Sequence, residues 1–191
     1  MKRIQYNAPV TLTFALISLA ALLLSQVDGG WANAHLFSVY RSSWIDLLAV
    51  PRLFLHVLGH ASYSHYLNNM LLILALGPGL EDRYGSKAIL LCILITALVT
   101  GLAQILLFPN TAVLGASGIA FMMIVLSSMA GMRDGKVPLT TIVILVIYLG
   151  GEIVNGLFRK DNISQLSHVI GGLCGGEFGF LLPMRRGKRQ F

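Results

Sequence analysis

Charge is what this sequence has least of. Only 12% of its 191 residues are Asp, Glu, Lys or Arg, about half the roughly 25% of an ordinary soluble domain. With 55% of residues hydrophobic, the chain cannot cover itself with polar surface, which excludes a soluble globule. Cysteine is nearly absent as well. Cys92 and Cys174 both fall inside apolar runs and read as buried free thiols, silent about redox compartment. The net charge of +6 does not point to nucleic acid, because the basic residues are dispersed at the ends of apolar runs. There is no internal repeat, low-complexity segment or soluble domain, and so no sign of the paired broken helices expected of a transporter. What is left is an integral membrane protein.

Its apolar runs give the organisation. Residues 8–27 are long enough to cross a hydrocarbon core of about 30 Å. They are too long for a signal-peptide core, and Gln26-Val27-Asp28 is no small-residue cleavage site. Residues 28–64 hold both tryptophans, Trp31 and Trp44, with Phe37, Tyr40, Leu47, Leu48, Leu53 and Phe54. That stretch is too apolar for a free loop and too broken for a span, so short helices lying in the membrane interface are expected. Further spans are expected at 65–80 (closed by Gly77-Pro78-Gly79), 88–108, 117–132, 139–158 and 166–184, with charged turns at 81–87 and 133–136. The expectation is a single all-α membrane domain over 1–191, a six-helix bundle with a long, partly embedded first external loop. Six spans put both termini on one side. Ten of the 14 basic residues fall on that side, so the termini are expected in the cytoplasm.

Polar groups inside a bilayer are costly and therefore informative. Gly115-Ala116-Ser117-Gly118 opens the fourth run. Taken alone, a serine among glycines is an ordinary small-residue helix contact. Depth changes its meaning. Ser117 lies 15 residues before Met132, His168 15 before Pro183, and His65 and Asn69 15 and 11 before Leu80. At about 1.5 Å per residue, all four stand roughly 16–22 Å above the cytoplasmic ends of their helices, in one layer. His65 and Asn69 share a face at i, i+4, with Asn68 a near competitor. On the last helix His168, Gly171 and Gly175 share a face, and Gly118 supplies a matching small residue for a close crossing. A serine hydroxyl needs a base, which His168 would supply. An oxyanion needs donors, for which the Ser117 backbone N–H, the His65 ring and the Asn69 amide are candidates, with Gly115 in support. Glu152, on the fifth run, reads as a carboxylate in a wet cavity or a local pair rather than a third catalytic member.

These residues carry a resemblance. From about Pro51 to Pro183 the sequence resembles the rhomboid intramembrane serine proteases. The motifs are Gly115-Ala116-Ser117-Gly118, His168 with Gly171 and Gly175, His60 to Asn69 entering the second helix, and Gly79-Leu80-Glu81 before Gly85. The resemblance implies a Ser117–His168 dyad, oxyanion stabilisation by His65, Asn69 and the Ser117 backbone, and a structural role for His60. It implies a mobile fifth helix that admits substrate, and no cofactor or metal. The implied partners are transmembrane protein substrates and the lipid bilayer; no motif bears on oligomeric state. The minimal six-helix form suggests a bacterial inner membrane. Three positions depart from the family pattern. Phe121 replaces a tyrosine that stacks on the catalytic histidine, Ser167 replaces an alanine, and Pro51 replaces the tryptophan before Arg52. A catalytically silent protein that binds transmembrane clients, or a small transporter, would be the alternatives. Asn162-Ile163-Ser164 would be a glycosylation site only in a eukaryotic secretory membrane.

Overall fold

A computed structural model describes residues 6–43, 45–132, 136–139, 142–143, 146–147 and 163–184. The expected fifth span at 139–158 lies almost wholly outside the described residues, and Glu152 with it. The described elements are α1 (Pro9–Val27), α2 (Trp31–His35), α3 (Ala49–Leu55) running into a 3-10 turn (His56–Leu58), α4 (Tyr63–Tyr84), α5 (Ser86–Leu107), α6 (Ser117–Gly131) and α7 (Ile163–Leu181). One isolated antiparallel bridge, Val39 to Val113, is the β pairing among them.

Two of the long helices bury their few polar residues and turn leucines outward. On α1, Thr11, Ser18 and Ser25 recur every seven residues and are buried, whereas Leu16, Ile17, Leu23 and Leu24 face outward. On α5, Thr96, Thr100 and Gln104 are buried at four-residue spacing while Leu90, Leu91, Leu94 and Leu102 are exposed. Water would invert that pattern; lipid favours it, because a hydrocarbon surround accepts leucine and only the interior can satisfy a hydroxyl. Among the described residues α1 and α5 are long and apolar enough to cross a membrane. At the centre is α6. Every side from Gly118 to Ile124 is buried, with α7, α4 and α5 packed around it.

The second helix is longer than its sequence suggests. It runs on to Tyr84 with Pro78 inside it, and the expected charged turn contracts to Gly85, at φ +89°, between α4 and α5. Gly77-Pro78-Gly79 therefore does not stop the helix. A proline forfeits one backbone bond, but the residues beyond it are held: Leu80, Glu81 and Tyr84 are buried. Gly77 serves packing instead, for a Cβ there would collide with the Thr11 side chain.

Glu81 is the strongest of these holds. Its carboxylate accepts from the Thr11 backbone N–H at 2.7 Å, the Thr11 hydroxyl at 2.7 Å and the Val10 N–H at 3.3 Å. Those amides belong to the first turn of α1, where N–H groups have no helical partner, and the helix dipole adds to the attraction. One side chain thus ties the end of α4 to the start of α1. Replacing it by Glu81→Ala leaves two amides and a hydroxyl without their acceptor. The expected cost is about 1.5–3 kcal/mol, read as a fall in the thermal midpoint of the purified protein; an unchanged midpoint would remove Glu81 from this role.

Candidate active site

The segment before α6 is pinned on three sides. Gln104 of α5 donates from Nε2 to the Thr111 hydroxyl at 2.9 Å and to the Thr111 carbonyl at 3.2 Å. Val113 exchanges backbone bonds with Val39 of the first loop at 2.9 and 3.0 Å. The Gly115 N–H donates to the His56 carbonyl at 2.9 Å. Gly115 itself has φ +132°, a conformation that L side chains rarely adopt. Ser117 follows as the first residue of α6 and is half-buried.

Against the Gly115 backbone stand His65 and Asn69. A Cβ on Gly115 would lie 2.8 Å from the His65 Nε2 and Cε1 and 4.0 Å from the Asn69 Nδ2. Both side chains therefore converge two residues before the serine, from one face of α4. Asn69 is buried and Asn68 exposed, which decides between the two neighbours. The helix that carries them begins at Ser62, whose Oγ accepts the His65 N–H at 3.1 Å.

From the opposite side comes α7. A Cβ on Gly171 would collide with the Gly118 carbonyl, and one on Gly175 with the Met122 carbonyl. The two helices thus run side by side in parallel register, backbone against backbone, through two successive turns. One turn earlier on α7 is His168. Its ring is 3% exposed and stacks on Phe121, with centroids 4.4 Å apart and planes at 15°. Phe121 is one turn beyond Ser117 on the same face of α6, so the imidazole sits over the turn that begins with the serine. The phenyl ring keeps the stacking role expected of a tyrosine at this position.

His60 is fully buried, 5.0 Å from the His65 ring and 5.4 Å from Tyr66 in edge-on contacts. Its carbonyl accepts from Asn33 Nδ2 at 2.8 Å. It buttresses His65 and joins the first loop to α4. Arg52 does the same for that loop's interior: buried, it donates from Nε to the His35 carbonyl at 2.7 Å, pairs with Asp46 and lies over the Tyr40 ring. Pro51 leaves this anchorage intact because it falls in the first turn of α3, where no helical N–H bond is lost.

His56 went unnoticed in the sequence. Besides holding Gly115 through its carbonyl, it places Nε2 3.3 Å from the Thr100 hydroxyl and Nδ1 3.1 Å from the Arg52 carbonyl. The available signal was the polar stripe Thr96, Thr100, Gln104 on an otherwise apolar helix, which calls for a polar neighbour.

Fold and site together define a multi-pass helical membrane protein that carries a serine and a histidine on adjoining, glycine-seamed helices. A family model described as the Rhomboid domain matches residues 48–185, and the chain belongs to the rhomboid family. It is 29% identical over 182 residues to the rhomboid protease GluP of Bacillus subtilis, covering 90% of this chain and 34% of that protein. It is 27% identical over 162 residues to rhomboid-like protein 15 of Arabidopsis thaliana, covering 74% of this chain and 40% of that one. The chain thus spans about a third to two fifths of the length of these relatives.

Two outcomes follow from the geometry. Gly175→Ala must push α7 away from α6, whereas Gly176→Ala meets nothing within 4 Å. The first is expected to lower the thermal midpoint sharply and the second hardly at all; equal effects would deny the seam. The second concerns pH. Burial pushes the His56 and His60 imidazoles of the first loop down to about 4, for His60 with the nearby His65 adding to it. Their ordinary value is 6.5, so between 6.5 and about 4 the unfolded chain binds more protons and stability falls as pH falls. The midpoint should be level above this window and decline within it, less steeply in His60→Asn. A midpoint that stays level down to about pH 4 contradicts this burial.

Proposed function

We propose that the chain is an intramembrane serine endopeptidase. Ser117 is the nucleophile and His168 its general base. The observation that carries the reading is the stacking of His168 on Phe121, one helical turn beyond Ser117. An imidazole held against the helical turn that begins with a serine can serve as the base that the hydroxyl needs. Oγ of Ser117 attacks the carbonyl carbon of a peptide bond as its proton passes to His168. The negative charge that develops on the carbonyl oxygen is met by the Ser117 backbone N–H, the His65 ring and the Asn69 amide. Gly115 keeps these donors close by having no side chain. His168 then protonates the leaving amine, and a water activated by the same imidazole hydrolyses the acyl-enzyme. Serine and histidine suffice for this chemistry, without a metal or cofactor.

The substrates are transmembrane segments of other membrane proteins, a reading that membership of the rhomboid family supports. The chain forms one six-span membrane domain with both termini in the cytoplasm of a bacterial inner membrane. The distribution of basic residues supports that orientation. The first loop, with exposed Ile45, Leu47 and Val50, lies partly in the bilayer on the outer side.

The test joins labelling to cleavage. A fluorophosphonate should label the purified protein at Ser117, and a reconstituted single-span substrate should be cut. Ser117→Ala and His168→Ala should abolish both while the thermal midpoint persists. Asn69→Ala should lower turnover by roughly ten- to a thousandfold. A folded protein that takes no label and cuts nothing would be a silent binder of transmembrane clients.

A further inference from the structure

Between α1 and α5 there is a cavity of about 290 Å³ away from the serine. Its walls are Phe14 and Ile17 of α1 and Leu90 and Ile93 of α5, its inner end is Leu58 of the 3-10 turn, and it reaches Pro9 at the start of α1. The volume is roughly twice the ~150 Å³ that encloses a benzene ring, and so has room for about a dozen carbon atoms. From Pro9 to Ile17 it extends about 12 Å along α1. Two of its walls are also outer surface, for Ile17 is 48% and Leu90 45% exposed. The cavity therefore opens toward the surrounding hydrocarbon.

One end of it is polar. Glu81 binds the first turn of α1, and α5 begins only five residues later at Ser86. The starts of both helices are thus at one level. At that level Lys87 is exposed, one turn before Leu90 on the same helix face. At the start of α1 the Tyr6 hydroxyl is within 3.4 Å of the Pro9 carbonyl and the Thr13 hydroxyl, at the depth where tyrosines meet lipid headgroups. A channel of apolar side chains ending at an ammonium and a phenol has the chemistry of one lipid: tail inside, anionic head outside.

We propose that this cavity is a binding site for one acyl chain of an anionic glycerophospholipid from the bilayer, with Lys87 meeting its phosphate. The chain end rests on Leu58, in the same 3-10 turn whose His56 carbonyl holds Gly115. Bound lipid therefore braces the loop that sets the turn before Ser117.

The test uses the purified chain in a neutral detergent. Phosphatidylglycerol and phosphatidylcholine, each with a diazirine midway along one chain, are added separately and photolysed. Crosslinks are mapped by mass spectrometry, and retained lipid is counted by native mass spectrometry. Phosphatidylglycerol should be retained at one per chain, crosslink to Phe14, Ile17, Leu90 or Ile93, and raise the thermal midpoint. Lys87→Gln, at an exposed position, should lower its retention about fivefold, toward that of phosphatidylcholine. Leu90→Trp, which fills the cavity, should abolish both the crosslinks and the thermal shift. Crosslinks spread evenly over outward leucines such as Leu24 and Leu102 would overturn the proposal. So would full retention in Leu90→Trp, or a dimer that Leu90→Trp dissociates, which would assign the cavity to a second copy.

Discussion

The close approach of α6 and α7 is the constraint on which the other features depend. In a bilayer two helices gain nothing by hiding leucines from lipid, since the tails are as apolar as the side chains. They associate through close packing, and the closest packing is backbone on backbone. Gly171 against Gly118 and Gly175 against Met122 provide it over two turns. The same contact makes α6 the buried axis of the bundle and sets the register that stacks His168 on Phe121. At the far end of α6, Arg83 of α4 donates to the Ala130 carbonyl, closing one of the carbonyls that a helix end leaves open. The seam therefore fixes both the packing of the protein and the position of its imidazole.

A second layer of organisation is polar. Each buried polar side chain at a junction connects two separate pieces of the chain. Glu81 joins α4 to α1, Arg52 holds the first loop together, His56 joins that loop to α5 and to Gly115, and Gln104 holds Thr111. In an apolar surround an unmet polar group is expensive, so such pairings are demanding about geometry. They hold the segments around Ser117 in fixed positions. Ser117 belongs to α6, His168 to α7, and His65 and Asn69 to α4; only a rigid scaffold keeps three such helices in one place.

The readable part of the site was readable because of where it stands. A histidine or asparagine is unremarkable in a soluble chain, but within apolar runs Ser117, His168, His65 and Asn69 were conspicuous, and counting residues put them at one depth. Glycine patterns were only half readable. The 171/175 face was evident from spacing, whereas Gly77, next to Pro78, looked like a helix stop and is instead a contact with Thr11. Stop signals in sequence report local preference, and here burial of Leu80, Glu81 and Tyr84 beyond the proline outweighs it. His56 was invisible because its meaning depends on Thr100 and Gly115, 44 and 59 residues away.

By itself, then, the sequence determined the class of solvent, the approximate extent of most of the described apolar helices, and a set of candidate site residues. These depend on composition and on periodicity along one helix, which are local properties. Tertiary structure decided the rest. It chose Asn69 over Asn68, gave Phe121 its imidazole, turned Pro51 into a harmless first-turn proline, and made Glu81 and His56 fasteners between distant segments. Those outcomes depend on which helix face meets which, and that is set by the mutual packing of the bundle, which no single stretch of the chain contains.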